Sequence, residues 1–151
     1  MYCDADADGT GYVQGMSLTA LNPPLKGTIS EVIGDLQRMN IMFLDANELT
    51  GTIPSALANM ENLQSLNLLA NRLSGTIPVG WGATTKLLYF GCNALTGTIP
   101  EMDFETLNAN QGCDFHDNAA WCKEYFGPRP SNNFSCPLPA GAAQYCNATC
   151  S

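Results

Sequence analysis

Residues 66–78 read LNLLANRLSGTIP, and this stretch recurs. A close copy, MFLDANELTGTIP, occupies 42–54, and another, LYFGCNALTGTIP, occupies 88–100. A looser version, MSLTALNPPLKGTIS, opens the series at Met16. The Gly-Thr-Ile tripeptides begin at Gly27, Gly51, Gly75 and Gly97, in steps of 24, 24 and 22 residues. Self-similarity at that period marks a stack of coils, each burying its face only against its neighbours.

One coil can be read residue by residue. Met42 and Leu44, Leu66 and Leu68, and Leu88 and Phe90 alternate at period two, as a short strand with one buried face requires. Asn47, Asn71 and Asn93 follow at a fixed offset, where an amide can turn the chain and satisfy buried backbone groups. Leu49, Leu73 and Leu95 return to the core, and the glycine two residues on lets the backbone turn or approach closely. Ile53, Ile77 and Ile99 add the next apolar rung, and the proline after each removes a backbone donor. Leu57, Met60 and Leu63 then recur at helical spacing, which predicts a short helical or 3₁₀ turn on the outer side.

At these residues the chain resembles the leucine-rich repeat family, and its plant-type 24-residue class in particular. The signature of that class is L-x-x-L-x-L-x-x-N-x-L-x-G-x-I-P. Residues 47–54, 71–78 and 93–100 match its second half at every defined position, and the likeness runs over roughly 13–139. The resemblance implies an α/β solenoid with a parallel sheet on its concave face and short helical or 3₁₀ turns on its convex side. We expect 1–12 to end an N-terminal cap, 13–110 to hold about four repeats, and 111–151 to form a degenerate last repeat with an insertion and a Cys-rich cap.

Composition narrows the function classes. The net charge is −8 and only 13 % of residues are charged, which argues against nucleic acid and against an anionic membrane face. No apolar run reaches the roughly 18 residues of a membrane span, so no insertion by this segment is expected. No signal peptide is visible, since acidic residues follow Met1-Tyr2-Cys3 at once; this suggests a fragment, a processed chain or an incomplete gene model. Seven cysteines point to an oxidising compartment. Five of them, Cys113, Cys122, Cys136, Cys146 and Cys150, crowd the last 39 residues and are the disulfide candidates, with Cys3 the expected orphan. Sequons at Asn133 and Asn147 lie in the same region and favour a secreted or surface glycoprotein.

Asp4, Asp6, Asp8 and Gly9 mimic the start of a calcium loop, but the twelfth position is Gly15, so an acidic turn feeding the first strand is preferred. Trp81 suits a core position better than a ligand platform. Cys113, Phe115 and Asn118 fill the strand and turn positions of a fifth repeat, and the signature resumes at Asn132 after an insertion over 119–131, read as a loop pinned by Cys122. Asp114, His116 and Asp117 resemble an acid–base trio, yet no nucleophile accompanies them, and a solvated strand face is the simpler reading. One histidine makes no multi-His centre, so no enzyme activity, metal or cofactor is expected.

In a leucine-rich repeat the non-core strand positions line the concave face. Ile41, Phe43, Leu69, Leu87 and Tyr89, with Asp45 beside them, make an apolar set where polar residues are usual. Such a patch suits a partner, or the chain's own terminus or insertion; the partner is preferred. The expectation is an extracellular module binding a protein or peptide, in the company of receptor-kinase ectodomains and polygalacturonase-inhibitor-like proteins. The alternative is a structural component of a coat, matrix or surface assembly.

Overall fold

The period-two triplets of the repeat form strands that stack in register, because each buries its central residue against the same residue of the next coil. The computed structural model describes residues 2–5, 9, 11–81, 84–109, 112–116, 119–148 and 150. Its elements begin with β1 (Tyr2–Ala5), β2 (Gly11–Ser17), β3 (Lys26–Thr28), a 3₁₀ turn (Glu31–Asp35), β4 (Ile41–Phe43), β5 (Glu48–Thr50) and α1 (Ser55–Ala58). They continue with β6 (Ser65–Asn67), β7 (Ser74–Gly75), β8 (Leu87–Tyr89), β9 (Ala94–Gly97) and α2 (Phe104–Ala109). The last are β10 (Gly112–Asp114), α3 (Ala119–Phe126), β11 (Asn133–Phe134) and α4 (Ala142–Cys146).

A six-stranded sheet runs β1-β2-β4-β6-β8-β10, with β1 antiparallel to β2 and the other pairs parallel. Its central rung is Met16, Met42, Leu66, Leu88 and Cys113. Met42, Leu66 and Leu88 are fully buried, and Leu68, Phe90 and Phe115 form the next buried row. Phe90 stacks on Phe115 with ring centroids 5.6 Å apart, and Trp81 packs on Phe90 at the same distance. Trp81 thus takes the core role that its position suggests, although its buried Nε1 has no hydrogen-bond partner among the described residues. Gly82 and Ala83, where the third repeat is two residues short, lie outside the described residues, as do Asp6, Asp8, Asp117 and Asn118.

A buried asparagine ladder ties the coils together. Asn71 donates through Nδ2 to the carbonyls of Leu44 and Leu68 at 3.0 and 3.1 Å and accepts the Leu49 N–H at 3.1 Å. Asn47 and Asn93 repeat the pattern one coil to either side. The last rung is Asn132, which accepts from Leu95 N–H at 3.0 Å and donates to Phe90 O, also at 3.0 Å. The insertion therefore interrupts the sequence repeat while leaving the ladder unbroken.

The structure adds a second row of parallel strands beyond the concave sheet. β3 pairs with β5, and β7, β9 and β11 form a three-stranded sheet, with a bridge from Thr52 to Ser74 joining the two. The segments after each asparagine are extended, and their backbone donors reach the preceding coil, as in Ser74 N–H to Gly51 O at 2.8 Å and Ser135 N–H to Gly97 O at 2.8 Å. Gly51, Gly75 and Gly97 all have φ near +80°, and a Cβ on each would lie 2.8–2.9 Å from the Cγ2 of Thr28, Thr52 or Thr76 of the coil before. The Gly-Thr pair recurs because each glycine makes room for its predecessor's threonine.

Disulfides and α4 close the C-terminal end. Cys113–Cys146 joins β10 to α4, and Cys136–Cys150 joins the segment after β11 to the terminus. Phe115 N–H donates to Cys146 O at 2.9 Å, so α4 covers part of an edge strand that would otherwise offer unpaired backbone groups. Asp103 caps α2: the Thr106 hydroxyl and N–H both donate to its carboxylate, holding its pKa below the ordinary value. The five candidate cysteines all pair and Cys3 remains an exposed thiol. The sixth partner is Cys92, which lies in the repeats outside the C-terminal cluster of candidates and is bonded to Cys122.

Candidate ligand-binding face

The outward rows of the concave sheet follow from the strand register. One row is Gly15, Ile41, Ser65, Leu87 and Gly112; the other is Ser17, Phe43, Asn67, Tyr89 and Asp114. Neighbouring strands lie about 4.8 Å apart, so Phe43 and Tyr89 project two steps, roughly 10 Å, from each other with Asn67 between. Ile41, Phe43, Asp45, Leu69, Leu87 and Tyr89 are all half-buried. Asp45 is held by the Thr19 hydroxyl at 2.9 Å, and Asn67 Oδ1 accepts the Leu69 N–H at 3.0 Å. The polar groups among the apolar ones are thus engaged within the sheet.

The insertion divides this set. Residues 119–126 fold as helix α3 rather than as a loop, with Cys122 and Phe126, four residues apart, on one face and Trp121 beside them packing toward the repeats. Leu69 joins Trp121 and Phe126 in packing on a small cluster of Ala70, Cys92 and Cys122. Ile41, Phe43, Leu87 and Tyr89 belong neither to that cluster nor to the main core among the described residues. Part of the patch, at Leu69, is therefore covered by the chain itself. Arg129, beyond α3, donates through Nε to Ala70 O at 3.2 Å, and burial, then Arg72, lowers its pKa from the ordinary value.

Asp114 and His116 do not form the solvated face read from the sequence. Their side chains are 19 % and 13 % exposed, and His116 Nδ1 lies 2.5 Å from Asp114 Oδ1. On its other side Nε2 sits 3.3 Å from Cys92 Sγ and 3.5 Å from Cys122 Sγ, with Trp121 edge-on at 4.7 Å. Trp121 and Cys122 of α3 pack against the His116 ring. Cys92 did carry a signal: the residues before Asn47, Asn71 and Asn93 are Ala46, Ala70 and then Cys92, all at positive φ. A cysteine breaking a column of alanines marks a position with a specific task. The sequon residues Asn133 and Asn147 are both exposed, on β11 and just after α4, and neither lies on the concave sheet.

Comparison with known proteins agrees with this architecture. The family model described as Leucine Rich Repeat matches residues 62–83. Among curated proteins no sequence match is found. Among solved structures, the leucine-rich repeat ectodomain of the receptor kinase SOBIR1 from Arabidopsis thaliana superposes with a TM-score of 0.68 at 21 % identity, covering 95 % of this chain and 72 % of that one. The BIR3–SERK2 complex from Arabidopsis thaliana gives 0.66 at 22 % identity, over 94 % and 67 % of the two chains. The Arabidopsis receptor kinase HAESA ectodomain, in complex with an IDA peptide hormone ligand, gives 0.63 at 22 % identity. That match covers 85 % of this chain but only 19 % of HAESA's, so the chain spans about a fifth of that ectodomain. With the asparagine ladder, the in-phase glycines and the disulfide-bonded end, these likenesses show a leucine-rich repeat solenoid, the fold of the plant receptor ectodomains on which the chain superposes.

Proposed function

We propose that this chain is an extracellular module that binds a protein or peptide through its concave sheet, with Phe43 and Tyr89 as anchors and Ile41, Leu87, Asp45 and the free edge of Leu69 around them. The observation that carries the reading is the Phe43–Asn67–Tyr89 row, apolar at both ends, on a rigid parallel sheet. Aromatic side chains at the middle of a surface concentrate binding energy because they bury large area with few rotors. Three disulfides fit the oxidising compartment that such a role needs. Two of the similar structures are complexes, HAESA with a peptide hormone and BIR3 with SERK2, and both point to the same class of partner. Glycans at Asn133 and Asn147 would leave the concave sheet open.

The test uses peptides selected on the immobilised wild-type chain from a random display library. Phe43→Ala with Tyr89→Ala should weaken the selected binders at least about 30-fold, the equivalent of one lost anchor of about 2 kcal/mol, without lowering the melting temperature. Arg72→Ala, exposed beyond the strands, should change little. Binders that hold the double variant at wild-type affinity would place the site elsewhere. Sedimentation tests the alternative: a structural component should assemble at fixed stoichiometry without added ligand.

A further inference from the structure

We propose that the dithiol form of this chain binds a zinc-class divalent cation through the thiolates of Cys92 and Cys122 and Nε2 of His116, and that exchange with an external disulfide, which takes up the two electrons and leaves as a dithiol, re-forms the Cys92–Cys122 bond and releases the cation. The three ligand atoms lie within 4.8 Å of one another. In a tetrahedral zinc site, with Zn–S about 2.3 Å and Zn–N about 2.0 Å, the S–N edge is about 3.5 Å. The structure holds Nε2 at 3.3 and 3.5 Å from the two sulfurs, so both S–N edges exist in the oxidised protein. Reduction leaves only the sulfurs to move apart, and they sit on separate segments, one before Asn93 and one on α3.

The surroundings fit a ligand histidine better than a packing residue. Asp114 Oδ1 accepts from the His116 backbone N–H at 3.0 Å and from Nδ1 at 2.5 Å. Assigning the ring proton to Nδ1 turns the Nε2 lone pair toward the sulfurs. This is the carboxylate–histidine arrangement that fixes the tautomer of metal-bound imidazoles. A disulfide has no proton to offer that lone pair, so stapling α3 to the repeats explains the cysteines but not an Nε2 lone pair held between two sulfurs. Gly91 is part of the same design: a Cβ there would lie 2.7 Å from His116 Nδ1, so the absent side chain is what admits the ring.

The chemistry balances with a dithiol as the reductant. The dithiol gives two electrons and two protons to the Cys92–Cys122 bond, yielding two thiols and the reductant's own disulfide. The cation then displaces both thiol protons, and water completes the fourth position. Cys92 and Cys122 are fully buried with Trp121 and Phe126 packed against them, so reductant and cation reach the site only by local opening of α3.

The experiment treats the full chain with a graded dithiol under argon and adds Zn²⁺ or Co²⁺ alone. Zn²⁺ should slow alkylation of Cys92 and Cys122 at least about ten-fold, read residue by residue by mass spectrometry, while Cys3 and any other freed thiols react as before. Co²⁺ should give thiolate charge-transfer and tetrahedral visible bands that Zn²⁺ abolishes. His116→Ala should lose those bands, and Asp114→Asn should keep them with affinity about 10–100-fold weaker. Equal alkylation with and without Zn²⁺ in the wild-type chain would overturn the proposal, whatever the variants do. So would unchanged bands in His116→Ala, or a fold lost on reduction and not restored by Zn²⁺.

Discussion

Asn71 is enclosed by four backbone groups, and the way they share partners sets what its loss would cost. Its Nδ2 bonds to Leu44 O and Leu68 O are duplicated, because Asn47 also donates to Leu44 O and Asn93 to Leu68 O. Its Oδ1 bond to Leu49 N–H is not duplicated by another side chain. The fourth group, Leu69 O, also accepts the Ala46 N–H, so Asn71→Ala orphans one buried donor rather than four groups, and we expect a loss of about 2 kcal/mol, more than for a surface asparagine. Urea unfolding with an unchanged slope would measure it. A loss under about 0.5 kcal/mol would mean that water or a shift of the coil replaces the amide. The asparagines were legible in the sequence because each does the same task at the same offset; the saturation of their shared carbonyls was not, since it depends on two neighbouring coils at once.

At the scale of one coil, the Gly-Thr step decides how closely neighbours approach. Gly27 and Gly75 both have positive φ, but only Gly75 faces a threonine, with Thr52 Cγ2 at 2.9 Å from a built Cβ; Gly27 has open space. Gly27→Ala should cost about 1 kcal/mol from backbone conformation alone. Gly75→Ala carries the same term and must also push Thr52 aside, so at least about 2 kcal/mol is expected. Thermal unfolding of the two variants compares them directly, and equal losses would show that the threonine column is loosely packed. The sequence displays the glycines but not the contact, because Thr52 and Gly75 meet only once the coils are stacked. The same holds for the second sheet: its residues are visible in every repeat, while its pairing partners lie one coil away.

The whole molecule is a one-dimensional stack whose ends must be finished differently from its middle. At the C-terminal end, Cys113–Cys146 clamps α4 against the last strand across a sequence separation of 33 residues. Removing it as Cys113→Ala with Cys146→Ala should cost about 3 kcal/mol. The effect should be local first: exchange of the Phe115 amide, bonded to Cys146 O, should quicken more than that of Leu68 in the central coil. Uniform acceleration along the array would instead mean that the cap and the repeats unfold as one unit.

The sequence by itself determined the repeat, its strands, the core rows, the ladder asparagines and the outward positions of Phe43 and Tyr89. All of these are contacts between equivalent residues one period apart, so periodicity encodes them. Tertiary structure alone decided where the non-repeating segment docks. It paired Cys92 with Cys122, drew Leu69 under Trp121 and Phe126, and enclosed Asp114 and His116 beside two sulfurs. Residues 119–131 break the period, so no offset relates them to the surface they cover. Their position follows from side chains of several coils packing together, a property that no single stretch of the chain contains.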